Sequence, residues 1–248
     1  MSIRSELKKI SIEKQNLESG PREKNLVSVC VPNYNKGMFL KEALESIACQ
    51  NYKDIELLFV DDNSTDLSLQ VFKRFAFENN KRFRSIKSIF LDRRVGNAWA
   101  TNMAYYLSKG EFIAQMDSDD ISSPERIDKQ VLHLKENNLD LVGTNFSTVS
   151  IEKRCVKNED GGHWLKFSEE EIQDSYEKSV HCVCFGTILF KYYVLEELGG
   201  LNRSLVGTED WEFIDRVYQS GYRIGNLRET LYTYRMHPNQ RSKLFHKQ

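Results

Sequence analysis

The stretch "EFIAQMDSDDISSPERID", residues 111–128, places Asp117, Asp119 and Asp120 within four positions, straight after an apolar run. Like charges this close repel and raise one another's pKa. A divalent cation or a wet surface turn would offset that. The run 111–117 reads as a strand, so the acids sit at its carboxyl end. An EF-hand does not fit, because its sixth loop position needs glycine and Ser122 stands there. Two readings stay open from these residues alone. One is a short D-x-D turn that holds magnesium or manganese through oxygen ligands. The other is an acidic turn that caps the helix opened by Ser123-Pro124.

Upstream, apolar runs alternate with helical periodicity. Strands are predicted at 26–32, 55–62 and 83–91, before the one at 111–117. Helices are predicted at 37–50, 64–79 and 96–110, the last capped by Gly110. In the first helix Phe39, Leu40, Ala43, Leu44, Ile47 and Ala48 share a face. Strand–helix alternation at this spacing predicts a mostly parallel α/β sheet with helices on both faces. Ligands of such sheets bind beyond the carboxyl ends of the strands. Asp61 and Asp62, like the 117–120 cluster, therefore lie on the functional edge.

Downstream, the pattern is less regular. A helix is predicted from Ser123-Pro124 to about Asn137, then a strand over 139–146. Residues 150–180 read as a mobile loop or a short helix. A strand over 183–190, a capped helix over 192–200, a helix over 207–222 and a strand from 231 into a loop by 242 complete the chain. In the 207–222 helix Trp211, Phe213, Ile214, Val217 and Tyr218 are expected to face the core. Residues 1–25 form a polar extension; 26–248 read as one domain, with a nucleotide half (26–120) and an acceptor half (121–248).

Composition narrows the function. The 248 residues are enough to bury a real core, and a net charge of −1 gives no reason to expect a nucleic-acid partner. The five cysteines include one close group, "HCVC" at 181–184, without a second pair at finger spacing, so zinc is not expected. Reduced thiols fit a reducing cytosol. No apolar run has the length of a membrane span, and the amino-terminal 25 residues lack a signal-peptide centre. The expectation is a cytoplasmic protein, with room for peripheral membrane contact and for a homo-oligomer.

Four segments at different strand ends, "VPNYNKGMFL" (31–40), "VDDNSTD" (60–66), "GEFIAQMDSDD" (110–120) and "GTEDWEF" (207–213), together resemble the family 2 glycosyltransferases. The resemblance covers about residues 26–241. It implies a GT-A fold, a nucleotide-sugar donor, inverting chemistry in the sense of a single displacement, and a divalent metal, Mn2+ or Mg2+. It places Pro32, Tyr34 and Asp62 around the base and ribose. A tyrosine can stack on a base, and a carboxylate can accept the N3–H of uracil, which favours UDP. Asp119 becomes the direct metal ligand, and Asp117 a contact to ribose or to the metal. Asp210 becomes the base that takes the acceptor's proton, with Glu209 as the fallback. His237 could complete the metal site, and Arg241 could neutralise a phosphate.

One departure stands out. Relatives often carry arginine before the asparagine of the third helix; here Thr101 precedes Asn102, which is retained as a donor-side residue. Arg93, Arg94 or Arg241 could replace that arginine. Trp164 reads either as an acceptor platform on a flexible lid or as a tryptophan closing the core. The expected acceptor is a glycan, polysaccharide or lipid-linked sugar. The competing readings are a nucleotide-sugar-binding module without turnover and, more distantly, a nucleotidyltransferase. The latter would open with a glycine-rich loop, which "VPNYNKG" is not.

Overall fold

The computed structural model describes residues 22–151, 159–238 and 240–241. The polar extension lies outside them as far as residue 21. In chain order the elements are β1 (Glu23–Asn33), α1 (Gly37–Ala48), β2 (Ile55–Asp61), α2 (Ser68–Asn79), β3 (Ser85–Phe90), α3 (Asn97–Leu107) and β4 (Gly110–Gln115). Then come β5 (Ile121–Ser122), α4 (Arg126–Glu136), β6 (Leu141–Ser150), β7 (Glu159–Asp160) and α5 (Glu169–Glu177). A 3-10 turn (Phe185–Thr187), β8 (Leu189–Lys191), α6 (Tyr192–Leu198), α7 (Glu209–Gln219) and β9 (Ile224–Met236) follow.

These strands form one mixed sheet in the order β3-β2-β1-β4-β8-β6-β9-β5, with β7 on β6. The long ladders are parallel: β1 with β2 and β4, β2 with β3, and β6 with β9. The antiparallel pairings, such as Ile113 opposite Phe190, are short. Alternate side chains enter two cores. Val27, Val29 and Val31 pack on one face with Leu40 and Leu44 of α1 and Phe72 of α2. Cys30, Leu58 and Ile113 pack on the other with Met103 of α3 and Phe213 of α7. Burial on both faces is why these strands read as continuous apolar runs. Each fully buried Leu or Phe contributes about 1.5–3 kcal/mol.

Several boundaries differ from the sequence reading, each for a local reason. α2 begins at Ser68, because Asp66 Oδ1 accepts the Ser68 amide (2.9 Å) and Oδ2 accepts the Gly37 amide (2.8 Å). Gly110 opens β4 instead of capping α3: a Cβ there would lie 2.5 Å from the Leu26 carbonyl oxygen. Pro124 precedes α4, with its carbonyl accepting the Asn51 amide at 2.8 Å. α5 is the short helix expected within 150–180, held by a reciprocal Ser168–Glu171 capping box. Within the strand expected over 183–190, Phe185–Thr187 form the 3-10 turn instead, and only Leu189–Lys191 pairs. β9 starts at Ile224, ahead of the expected 231. Trp211 does not face the core; it is 40 % exposed.

Candidate active site

The carboxyl ends of β1 and β2 carry the loops "NYNK" and "DDNST", and polar side chains knit them together. Asn33 Nδ2 donates to Asp61 Oδ1 (2.7 Å), the Ser64 amide donates to Asp61 Oδ2 (2.8 Å), and the Thr65 amide donates to Asn35 Oδ1 (2.8 Å). Asn35 and Asn63 adopt left-handed backbone, φ 51° and 60°, which asparagine tolerates. Pro32 is buried, and the Arg94 guanidinium lies 4.0 Å from the centroid of the Tyr34 ring. Asp62 turns toward the head of α3. Its oxygens accept the amides of Val95 (2.6 Å) and Gly96 (2.9 Å). Burial still holds its carboxyl above the ordinary value, against those two bonds and Arg94.

Beyond β4 the three acids have separate partners. Asp117 Oδ1 accepts from Gln115 Nε2 at 3.1 Å, and its backbone amide faces Tyr232 Oη at 3.3 Å. Its carboxyl is pushed up to about 6 by burial, then by the charges of Asp119 and Asp210. Gly186, in the 3-10 turn, approaches so closely that a Cβ would lie 2.8 Å from Asp117 Oδ2. Asp119 Oδ2 is ion-paired with Lys36 Nζ at 2.6 Å and meets His237 Nε2 at 3.0 Å. Burial raises Asp119, but the His237 contact and the Lys36 ammonium outweigh it and hold the group below its ordinary value. Asp120 is buried and pushed well above the usual range by that burial and by Asp119 and Asp117; its Oδ1 accepts the Arg235 amide at 2.8 Å.

The repulsion among the acids is therefore met by cations of the chain itself. Arg235, 5 % exposed, donates from Nη2 to the Asp120 carbonyl (3.3 Å) and the Phe39 carbonyl (2.9 Å), and from Nε to the Asp119 carbonyl. Arg126 is fully buried, donating from Nη2 to the Gln115 carbonyl at 3.0 Å, within electrostatic reach of Asp117 and Asp120. The sequence reading missed Lys36, Arg126 and Arg235. Lys36 stands inside a quoted motif, and its place between Asn35 and Gly37, two turn-forming residues, was the available signal. Arg235 stands two residues before His237, in the segment "YRMHPNQRS" (234–242), and that neighbourhood was its signal; Arg126 carried none, since an arginine in an amphipathic segment reads as surface.

On the acceptor side Asp210 lies in the first turn of α7, half-buried, with Oδ1 accepting the Trp211 amide at 2.8 Å. Glu209 is buried and committed: Oε2 accepts the Gly207 amide (2.7 Å) and Oε1 is ion-paired with Arg241. Arg241, expected to meet a phosphate, is paired here with a carboxylate. Trp164, His181 and Trp211 form a row, with ring centroids 5.5 and 6.0 Å apart. Trp164 also packs on Phe146, so the exposed aromatic beside Asp210 is Trp211. Asn102 is buried and engaged at both ends by Leu201: Nδ2 donates to its carbonyl (2.9 Å) and Oδ1 accepts its amide (2.8 Å). It braces the turn after α6. Thr101 is fully buried, so the position is closed to a solvent-facing arginine.

Among the described residues, no group of three or more His, Cys, Asp and Glu side chains could hold a metal alone. Of the expected ligands Asp117, Asp119 and His237, the pair Asp119 and His237 is in direct contact. Their donor atoms lie 3.0 Å apart, and a cis pair of ligands at 2.0–2.1 Å on an octahedral ion spans about the same distance. Two protein donors of N and O type suit an ion that takes its remaining ligands from water or phosphate oxygens. The pair fits such an ion.

This architecture has known counterparts. TarS 1-349 of S. aureus in complex with UDP-GlcNAc superposes with a TM-score of 0.71 at 22% identity, over 88% of this chain and 60% of that one. The mannosyltransferase PcManGT of Pyrobaculum calidifontis, solved with GDP-Man and Mn2+, superposes with a TM-score of 0.66 at 20% identity, over 91% of this chain and 62% of that one. These likenesses show the shared GT-A fold. In sequence, the "Putative glycosyltransferase EpsE" of Bacillus subtilis (strain 168) is 32% identical over 225 residues, 88% of this chain and 74% of EpsE. Residues 28–199 match Glycosyl transferase family 2. The chain belongs to that family and is a glycosyltransferase.

Proposed function

We propose that this chain moves a sugar from a UDP-linked donor to a hydroxyl of a glycan, polysaccharide or lipid-linked acceptor, in one displacement that inverts the anomeric carbon. The observation that carries this reading is the placement of Asp210. It is a half-buried carboxylate at the head of α7, close enough to Asp117 for its charge to raise that group. The acceptor-side carboxylate therefore lies within electrostatic reach of the acid turn. Glu209 is tied to Gly207 and Arg241, which leaves Asp210 as the base.

In this reading Tyr34 and Asp62 take the base, and Asp117 the ribose. Asp119 and His237 hold a divalent cation, which neutralises charge on the departing diphosphate when bound. Asp210 accepts the proton of the attacking hydroxyl, and Trp211 offers a face to the acceptor ring. UDP-GlcNAc in TarS supports a uridine donor, while GDP-Man and Mn2+ in PcManGT support the metal and keep guanosine as a competitor. Among the described residues no helix is long and apolar enough to cross a membrane. We place the reaction in the cytoplasm, on the reduced-thiol argument above.

Thermal unfolding with UDP, GDP, CDP and dTDP, each with manganese and with EDTA, tests the donor assignment. A nucleotide at a hundred times its dissociation constant should stabilise by about 2.7 kcal/mol. Stabilisation by UDP that requires manganese is expected. No shift with any nucleotide would overturn the donor assignment. Product with the donor's own anomeric configuration would overturn the single displacement.

A further inference from the structure

We propose that Lys36 is a tethered cation that occupies the donor-metal position in the ligand-free protein and must be expelled before Asp119 and His237 can take a divalent ion. The inference rests on the metal reading above and adds a residue and a thermodynamic coupling to it. Lys36 Nζ lies 2.6 Å from Asp119 Oδ2 and 3.3 Å from His237 Nε2, the two atoms that would ligate the metal. Those atoms are themselves 3.0 Å apart, so the ammonium sits where an ion shared by both would sit.

The backbone holds the lysine there. Asn35, with φ 51°, turns the chain, and its Oδ1 is held by the Thr65 amide at 2.8 Å. Gly37 is fixed on the other side by Asp66 Oδ2 at 2.8 Å, and a Cβ on it would meet the Ser68 nitrogen at 2.9 Å. Lys36 and Asp119 are only 15% and 17% exposed, so their attraction is poorly screened. An ammonium and a divalent ion cannot share a site this small. A bare metal ion must therefore break the Lys36–Asp119 pair without supplying an anion in return. A nucleoside diphosphate supplies that anion, because the expelled ammonium can pair with it. Metal and nucleotide then raise each other's affinity by an equal factor.

The test is a manganese titration followed by the EPR signal of the free ion, with wild type, Lys36→Met and Lys36→Arg, each without nucleotide and with UDP or GDP. Wild type should bind manganese weakly alone and at least tenfold more tightly with nucleotide. Lys36→Met should bind manganese alone at least tenfold more tightly than wild type, with a smaller gain from nucleotide. Lys36→Arg keeps a tethered cation and should stay close to wild type. Adding Asp119→Asn to Lys36→Met should erase the gain, which locates it. Circular dichroism checks each fold, and Lys36→Gln replaces Lys36→Met if the latter unfolds. Manganese that binds wild type with nucleotide, but binds Lys36→Met alone no better than wild type, overturns this proposal and leaves the metal reading standing. No manganese bound by any form, with or without nucleotide, overturns both.

Discussion

Arg241 Nη2 is ion-paired with Oε1 of Glu209, so the segment after β9 is latched to the first residue of the helix that carries Asp210. The Glu209 side chain is 1% exposed and that of Arg241 40%. Removing the arginine leaves a buried carboxylate with the Gly207 amide as its remaining partner. Breaking a wholly buried pair costs about 3–5 kcal/mol. Exposure of Arg241 screens this one, so Arg241→Met should cost about 1–2 kcal/mol. Urea unfolding reads it, and adding Glu209→Gln should restore part of the loss. An unmoved midpoint would mean that the latch contributes nothing.

Asp210→Asn keeps the shape of the α7 head and removes the proton acceptor. Turnover should fall about 10²- to 10⁴-fold, the usual worth of a positioned base. Nucleotide binding, read as the UDP-induced rise in unfolding temperature, should be unchanged. Parallel loss of both would remove Asp210 from the role of base.

Glu56, at the opposite end of the sheet, predicts a pH dependence. It is buried in β2, where Oε1 accepts from Ser28 Oγ at 2.6 Å and Oε2 is ion-paired with Lys87 at 3.0 Å. Burial raises its carboxyl, yet Ser28, the Lys109 amide and Lys87 together hold it below the ordinary value. A group depressed by folding stabilises above its unfolded pKa, about 4.3 for glutamate, and loses that contribution as pH falls through the folded value. Wild type should therefore exceed Glu56→Gln by about 2–3 kcal/mol near neutrality, somewhat less than a fully broken buried pair because the amide keeps some bonds. The gap should close below about pH 4. Denaturation midpoints across pH read it, and a gap that widened in acid would contradict the assignment.

Trp211→Ala should change stability little, because the ring is 40% exposed. If that ring carries the acceptor, its loss removes about 0.5–1.5 kcal/mol of stacking. Acceptor KM should then rise about 3- to 10-fold, with hydrolysis of the donor in the absence of acceptor unaffected. An equal fall in both activities would place the tryptophan on the donor side.

The parallel half was legible because each of its signals is local. Val27, Val29 and Val31 point to one core and Cys30 to the other, which yields the apolar run that marks a strand buried on both faces. The turn at Gly186 was hidden for the opposite reason. "VCFGTILF" has strand composition, but the approach of Gly186 to Asp117 imposes a 3-10 bend that only the folded neighbourhood reveals. The start of β9 was hidden in the same way. "IGNLRET" is polar, and it pairs with β6 through a ladder whose register shifts beside Asn145. The family motifs pointed to Asp117, Asp119, Asp210 and His237, but the partners Lys36, Arg126 and Arg235 depend on long-range geometry. Asn102 shows the limit of a motif, since its amide braces Leu201.

The distance along the chain between Asp119 and His237 gives the site a birth order. Their contact spans 118 residues, and that of Arg235 with Asp120 spans 115. At synthesis rates of about 5–20 residues per second, the acid turn emerges about 6–24 s ahead of His237. Through that interval β1 to β4 are available to pair, yet the clasp that pins their acids has not been made. The contacts of Arg235 and His237 with the acid turn therefore arrive with β9 and the residue after it, not with the nucleotide half. A nascent chain halted before Ile224 would carry the acid motif with Lys36 and Arg126 but without Arg235 and His237.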